Sequence, residues 1–336
     1  EHVIQGLKKN SKCYLYFDKL TTREVDTVLG TIKVNLDAPD FSNTSCSVGT
    51  NNGRDCDEVT VGIYAAKDND GTSYYYRGDV NNNWVQFAGF YWRIIRINGN
   101  GSIRMIYAGT NSNVTTGSGT QISLDGSTTT YRFNKSQDAS YYVGLKYSTS
   151  QHGTATDSSI METLNTWYSS NLASYASYID QNAGFCSDRE MASGYTWSAT
   201  PSGAIHYAAY ERLITNKMPT LSCGNEDLFT ATGANKGNAS LSNPIGLITA
   251  DEVAMAGGVT NFRANSGYYL YTNQDYWTMS PYNFSSFAFV FYVGASGDLT
   301  SSNVYYGALG IRPVINLRAD VTLSGTGTSS DPYRVV

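Results

Sequence analysis

The stretch from Tyr276 to Leu317, YWTMSPYNFSSFAFVFYVGASGDLTSSNVYYGALGIRPVINL, constrains this chain most. An aromatic-rich strand opens it and Gly-Ile-Arg-Pro-Val-Ile closes it, with apolar alternation and two polar, turn-prone segments between. β-branched and aromatic residues populate strands, whereas glycine and small polar residues break them. The pattern predicts strands joined by two polar loops, Tyr282–Phe287 and Gly297–Tyr306.

The rest of the chain extends the β pattern. Tyr74–Arg77, Trp84–Phe87 and Phe90–Ile97 read as strands, and Asn98-Gly99-Asn100-Gly101 as a hairpin turn, because Asn and Gly tolerate φ > 0. Ile103–Tyr107 returns from it. The Ser/Thr/Gly-rich residues 109–140 read as a long surface loop or ragged hairpins. A helix is predicted at about 157–175, capped by Asp157, Ser158 or Ser159, with Ile160, Leu164 and Trp167 on one face. A second starts at Thr249, where Thr249 and Glu252 match a capping box, and stops at Gly257-Gly258. Val25–Asn35 fits a short helix or a strand equally well. Asp37-Ala38-Pro39-Asp40 breaks the chain. The expected organisation is an N-terminal segment over 1–40 (linker, assembly element or remnant of an upstream module), a main domain over 41–320, and a terminal hairpin over 321–336.

Composition narrows the functional classes. Only 15% of the 336 residues are charged, and 27 are tyrosine. Ordinary soluble domains carry about 25% charge. A formal net charge of −5 without a concentrated basic face argues against nucleic-acid binding. No apolar run reaches the ~18 residues of a membrane span. No leader is visible at Glu1, as expected of a mature or a truncated chain. The five cysteines, Cys13, Cys46, Cys56, Cys186 and Cys223, form no C-x-x-C pair, and no histidine spacing accompanies them. No metal site is therefore expected. Cys46 and Cys56 flank a Gly/Asn turn, and Cys186 and Cys223 bracket a longer excursion. These spacings predict two disulfides, 46–56 and 186–223, each worth about 3 kcal/mol, with Cys13 left over. Disulfides and a hydroxyl-rich composition imply an extracellular or cell-surface location.

No catalytic residue is assigned. G-x-S-x-G and H-E-x-x-H are absent, and only His2, His152 and His206 are available. His206 is a site residue or, preferably, a structural one. Asp68-Asn69-Asp70-Gly71, with Asp79 at the twelfth position, resembles a calcium loop. A hairpin turn closed by aspartate is the preferred alternative, since Tyr74–Tyr76 reads as strand, and no other cofactor is expected. Arg312 grips a carboxylate or sugar hydroxyl, or, preferably, ties down backbone carbonyls. In the doublets Tyr141-Tyr142, Tyr268-Tyr269 and Tyr305-Tyr306, strand alternation sends one ring inward and the other to solvent.

Three motifs, Trp84–Tyr107 (WVQFAGFYWRIIRINGNGSIRMIY), Ile245–Gly258 (IGLITADEVAMAGG) and Tyr276–Leu317, precede SGTGTSSDPY at 324–333. Together they resemble a large, poorly characterised family of secreted and surface proteins of Gram-positive gut-type bacteria, over roughly residues 40–336. The terminal part is similar to the formylglycine-generating-enzyme branch of the C-type-lectin fold, and to the variable ligand-binding proteins built by diversity-generating retroelements. The implied fold class is α+β, mostly antiparallel β with two or three helices, C-type-lectin-like. No cysteine follows Cys223, so the C-terminal cysteine pair of formylglycine-generating enzymes is missing. The Glu-Pro-Asn, Gln-Pro-Asp and Trp-Asn-Asp tripeptides of calcium-dependent sugar lectins are also missing.

The expected function is therefore a noncatalytic extracellular binding or adhesion module. It would present an aromatic and Asn/Ser-rich face of Trp197, Trp277, Tyr282, Phe284, Asp298, Asn303 and Tyr305 to a host protein or glycan. Tyrosine supplies large contact area at low entropic cost. The alternative is a self-assembling structural subunit of an extracellular surface assembly or filament.

Overall fold

The computed structural model describes residues 20–41, 61–233, 236–260, 264–305 and 309–336. It is a mixed α and β fold with few helices and mostly antiparallel sheets. Cys13, Cys46, Cys56 and Tyr306 lie outside the described residues, and so does the expected 46–56 disulfide.

Two sheets carry the architecture. The first is built on β5 (Trp84–Phe87), β6 (Phe90–Ile97) and β7 (Ile103–Gly109). Val314–Leu317 pairs with β7 on one side, and Tyr333–Val335 runs parallel to β5 on the other, bringing in Leu323–Ser324. Residues 321–336 thus form the expected hairpin, and that hairpin extends this sheet. The tight turn between β5 and β6 has φ of 54° at Ala88 and 81° at Gly89. Two successive positive-φ residues give the backbone twist that suits a right-handed ribbon. β3 (Gly62–Lys67) and β4 (Thr72–Arg77) form a further hairpin, which joins β6 through Tyr74 and Tyr75.

The second sheet centres on strand Tyr276–Phe284. It pairs antiparallel with Ala288–Val293, which pairs with Asp298–Asn303. The chain expected to form the Gly297–Tyr306 loop is therefore mostly a strand. Short strands Leu309–Gly310, Thr130–Tyr131, Val259–Thr260 and Ile205–His206 complete the sheet. Residues 109–140, read as surface loop or ragged hairpins, supply one of these strands and bury Ile122 and Phe133.

One core joins the two sheets. Trp92, Ile94, Met105, Trp277, Val290 and Ile315 are all fully buried in it. Helix α1 (Ser159–Asn171) covers it with Ile160, Leu164 and Trp167, and Ser158 is its cap, accepting from the Met161 N–H at 3.3 Å. The helix Ala250–Ala256 begins with the expected capping box and ends at Gly257. Val25–Asn35 falls within an antiparallel hairpin, β1 (Thr22–Thr27) and β2 (Gly30–Asn35), whose Ile32 and Val34 enter the core.

Candidate functional site

The sequence places charge where it should be hardest to bury. Arg96 and Arg104 lie on β6 and β7 within apolar strands, and Glu252 lies in the first turn of helix Ala250–Ala256. A buried charge needs a partner, and here each has one. One Glu252 oxygen meets Arg96 Nε at 3.0 Å and Arg104 Nε at 2.6 Å, and the other accepts the Thr249 N–H at 3.0 Å. Arg96 also reaches Asp68 at 2.8 Å. Burial alone would raise the Glu252 carboxyl; Arg104, Arg96 and the Thr249 N–H outweigh it and hold it below its ordinary value. The capping glutamate is thus also the hub of an ion network.

Asp68 brings two turns together. Its Oδ1 accepts the N–H groups of Asp70 and Gly71, at 2.8 and 2.9 Å, and its Oδ2 accepts the Gly99 N–H at 2.8 Å. The aspartate-closed turn is therefore what forms, and Tyr74–Tyr76 is strand β4 as expected. Gly99 has to be glycine, since a Cβ there would sit 2.4 Å from Gly71 N.

A second network faces the first. A short π-helical run, Glu211–Asn216, carries Arg212. The Arg212 guanidinium holds Asp251 through Nε at 3.0 Å and Nη2 at 2.9 Å, and also pairs with Asp188. Asp188 has a left-handed backbone, φ 49°, which Asp adopts more readily than most residues. Burial pushes its carboxyl up to about 7, against Arg212 and with Asp251 and Asp227 adding to the rise. Asp251 accepts two guanidinium N–H groups and the Thr220 N–H at 2.9 Å. Arg212 is therefore held charged mainly by Asp251, and Asp188 is the less compensated carboxylate.

The two networks line one cavity of about 340 Å³. Its walls are the turns at Asp68–Asp70 and Asn98–Asn100, the segment from Asp180 to Asp188, Arg212, residues 220–223, the helix start at Thr249–Glu252, and Ser280. The expected Cys186–Cys223 disulfide is present, with Cα atoms 5.7 Å apart, and both half-cystines line the cavity. The side-chain amide of Asn69 ties the other wall to it, donating to Cys223 O at 2.7 Å and accepting Cys223 N–H at 2.8 Å. Six carboxylates and four cationic side chains line the cavity, so it is net acidic. Asn69, Asn98, Asn100 and Asn182 add amides, and the apolar lining is confined to Ala183, Leu221 and Leu228. Such a surface offers many paired donors and acceptors and little flat apolar area.

The expected aromatic face does not assemble as read from the sequence. Trp277 is fully buried, its Nε1 donating to Tyr131 O at 2.8 Å. Phe284, Asp298 and Asn303 are buried too. Sheet pairing on both flanks accounts for this: Phe284 opposes Ala288, and Asp298 and Asn303 are the two ends of a paired strand. Asn303 spends its side chain on the Tyr305 N–H at 2.8 Å. Tyr282, Tyr305 and Trp197 are half-buried. Tyr282 packs edge-on against Tyr210 and Phe291, and Tyr305 lies under Arg132 at 4.1 Å. Tyr268 and Tyr269 are both buried, because their segment is a turn and not an alternating strand. His206 is half-buried, 4.0 Å from the Tyr210 ring, and burial lowers its pKa. Arg312 is buried and donates to Tyr107 O and Leu270 O, at 3.0 and 3.1 Å.

None of Trp197, Trp277, Tyr282, Phe284, Asp298, Asn303, Tyr305 or Arg312 lines the cavity. A family model described as "Domain of unknown function (DUF6273)" matches residues 162–319. This span includes the disulfide, Arg212 and the Thr249–Glu252 helix start, and excludes the wall formed by Asp68–Arg104. No curated protein and no solved structure matches the chain.

Proposed function

We propose that this chain is a noncatalytic extracellular binding module whose ligand is a glycan, and that the ligand enters the polar cavity. The observation behind this reading is the cavity's chemistry. Carboxylates accept from hydroxyl groups, amides and guanidinium groups donate to them, and the acidic balance disfavours anionic ligands. The ligand class that fits is a neutral or amino sugar. Pockets of a few hundred Å³ suit small ligands or the end of a larger one. Because the ion pairs are fixed before the ligand arrives, their ordering cost falls on folding and not on binding. Neither His152 nor His206 lines the cavity, and Ser280 Oγ accepts the Ala250 N–H at 2.9 Å. That arrangement does not pair Ser280 with a histidine base.

The extracellular assignment is supported by the Cys186–Cys223 bridge, since such bonds persist in oxidising compartments. A C-type-lectin-like architecture is part of the same proposal, supported by the order of strand motifs and by the paired strands over residues 276–303. A host glycan is the natural target of such a module at a bacterial surface.

The test is a glycan array on the full chain, followed by calorimetry with any neutral or amino sugar that binds. Asp180→Ala combined with Asn182→Ala, at the cavity rim, should abolish binding and leave the melting temperature unchanged. Wild-type affinity in that variant, together with loss of binding in Tyr282→Ala, would move the site to the aromatic cluster. Ladders or filaments in size-exclusion with light scattering would favour the structural-subunit alternative.

A further inference from the structure

We propose that His152, Glu190 and Glu226 form a binding site for a divalent transition-metal ion, with zinc the best-fitting one. The site lies outside the cavity, on segments that the Cys186–Cys223 bridge braces. Its three donors come from regions far apart in the sequence, so no spacing motif announces them.

The three donors already converge. His152 Nε2 lies 3.5 Å from a Glu226 oxygen and 3.7 Å from a Glu190 oxygen. The three donor atoms all fall within 4.8 Å of one another. Tetrahedral zinc holds nitrogen and oxygen at about 2.0–2.2 Å, which places neighbouring donors about 3.4 Å apart. The two distances to the imidazole are already close to that edge. Both glutamates are more than half exposed, with side-chain exposures of 54% and 74%, so they can turn onto an ion at little cost. Two carboxylates and one imidazole leave a fourth position for water, as three-ligand zinc sites do.

A second observation separates this cluster from a chance meeting of surface charges. The far side of the imidazole faces a buried carboxylate: His152 Nδ1 is 3.2 Å from Asp227 Oδ1, and Asp227 is 1% exposed. A carboxylate this close to Nδ1 favours the tautomer that carries the proton there and leaves the Nε2 lone pair for a metal. Asp227 is itself held, accepting from Arg189 Nε at 2.9 Å. Arg189 is fully buried and donates to Gly153 O at 2.6 Å, and its own carbonyl accepts from Gln151 Nε2 at 3.0 Å. The residues on either side of His152 are thus bonded to the residue before Glu190.

The bridge fixes the remaining donor. Phe185–Cys186 pairs with Leu228–Phe229, and Ser187 N–H donates to Asp227 O at 2.8 Å. Glu190 and Glu226 therefore project from two segments clamped by a disulfide and by backbone hydrogen bonds. Donors on anchored backbone segments, with a buried carboxylate behind the imidazole, are what a metal site requires.

The test is calorimetric titration of chelator-treated full-length protein with zinc chloride near neutral pH, with cobalt(II) substitution as a second readout. The expected result is one zinc per chain and the visible d–d absorption of four-coordinate cobalt. His152→Ala should remove both signals, weakening zinc binding at least a hundredfold. Glu226→Gln, at an exposed position that cannot affect folding much, should weaken it at least tenfold. It keeps the test valid even if His152→Ala misfolds. Absence of zinc binding by the wild type would overturn the proposal, as would zinc binding that both variants leave unchanged.

Discussion

Single residues here carry two structural duties, and only one of them shows in the sequence. Thr249-x-x-Glu252 is legible as a capping box because its spacing is local. That Glu252 also compensates Arg96 and Arg104 is not legible, because those partners lie more than a hundred residues away on β6 and β7. The two duties separate experimentally. Thr249→Ala removes only the cap oxygen and should cost about 1 kcal/mol in denaturant unfolding. Glu252→Gln leaves two buried guanidinium groups short of a counter-charge and should cost about 3–5 kcal/mol. Equal losses in the two variants would show that the cap is the whole role of Glu252. The tyrosine doublets carry the converse lesson. Strand alternation assigns one ring inward and one outward, yet Tyr268 and Tyr269 are both buried. Tyr268 donates to Gly297 O at 2.9 Å, and the Tyr269 ring lies 5.2 Å from the Arg93 guanidinium. A periodicity argument fails where the segment is a turn.

Among elements, those with strong local signals form as read: the β6–β7 hairpin, α1 with its Ser158 cap, and the helix after Thr249. Short strands that borrow their pairing from distant chain, such as Thr130–Tyr131 beside Leu309–Gly310, leave no periodic trace. Nor does the π-helical turn that presents Arg212. The cavity walls are mostly such pieces, which explains why the sequence points to the strand-rich end of the molecule and misses the cavity. The 186–223 bridge was legible from its bracketing alone. It should be worth about 4 kcal/mol on a chain-entropy account, above the about 3 kcal/mol of a shorter loop, because it joins residues 37 apart. Cys186→Ser with Cys223→Ser should lower the unfolding free energy by about that amount and also loosen the cavity wall. The second effect is checked by faster amide exchange in residues 220–229 than in α1. Uniform exchange across the chain would show that the bridge acts on the unfolded state only.

On the scale of the whole molecule, the cavity joins elements from both sheets, so its charges bear on global stability and its pH dependence. Asp188 is the decisive group. Its carboxyl is raised to about 7 by burial, with Arg212 opposing and Asp251 and Asp227 reinforcing, whereas in the unfolded chain it titrates near 3.9. The folded state therefore binds the extra proton between those values. Its contribution is fully present below the unfolded pKa and is lost as pH rises through about 7. Glu252 acts in the opposite direction. Its depressed pKa contributes stability above its unfolded value, and that contribution is lost as pH falls through the folded one. His152, raised mainly by the Asp227 carboxylate, adds a further loss at and above its ordinary titration range. Wild-type protein should consequently unfold at a lower urea concentration at pH 8 than at pH 5, by a few kcal/mol in free energy. Asp188→Asn retains the shape and removes the ionisation, so the part of that slope lying between about pH 4 and pH 7 should vanish. The remaining slope should be confined to the region where His152 loses its proton, and His152→Gln should flatten it. If Asp188→Asn keeps the full wild-type difference between the two pH values, Arg212 compensates Asp188 as completely as it does Asp251. Asp188 would then be ionised at neutral pH, and Arg212 facing two carboxylates, together with Asp180, would supply the acidic balance of the cavity, since Asp70 is paired with Lys236.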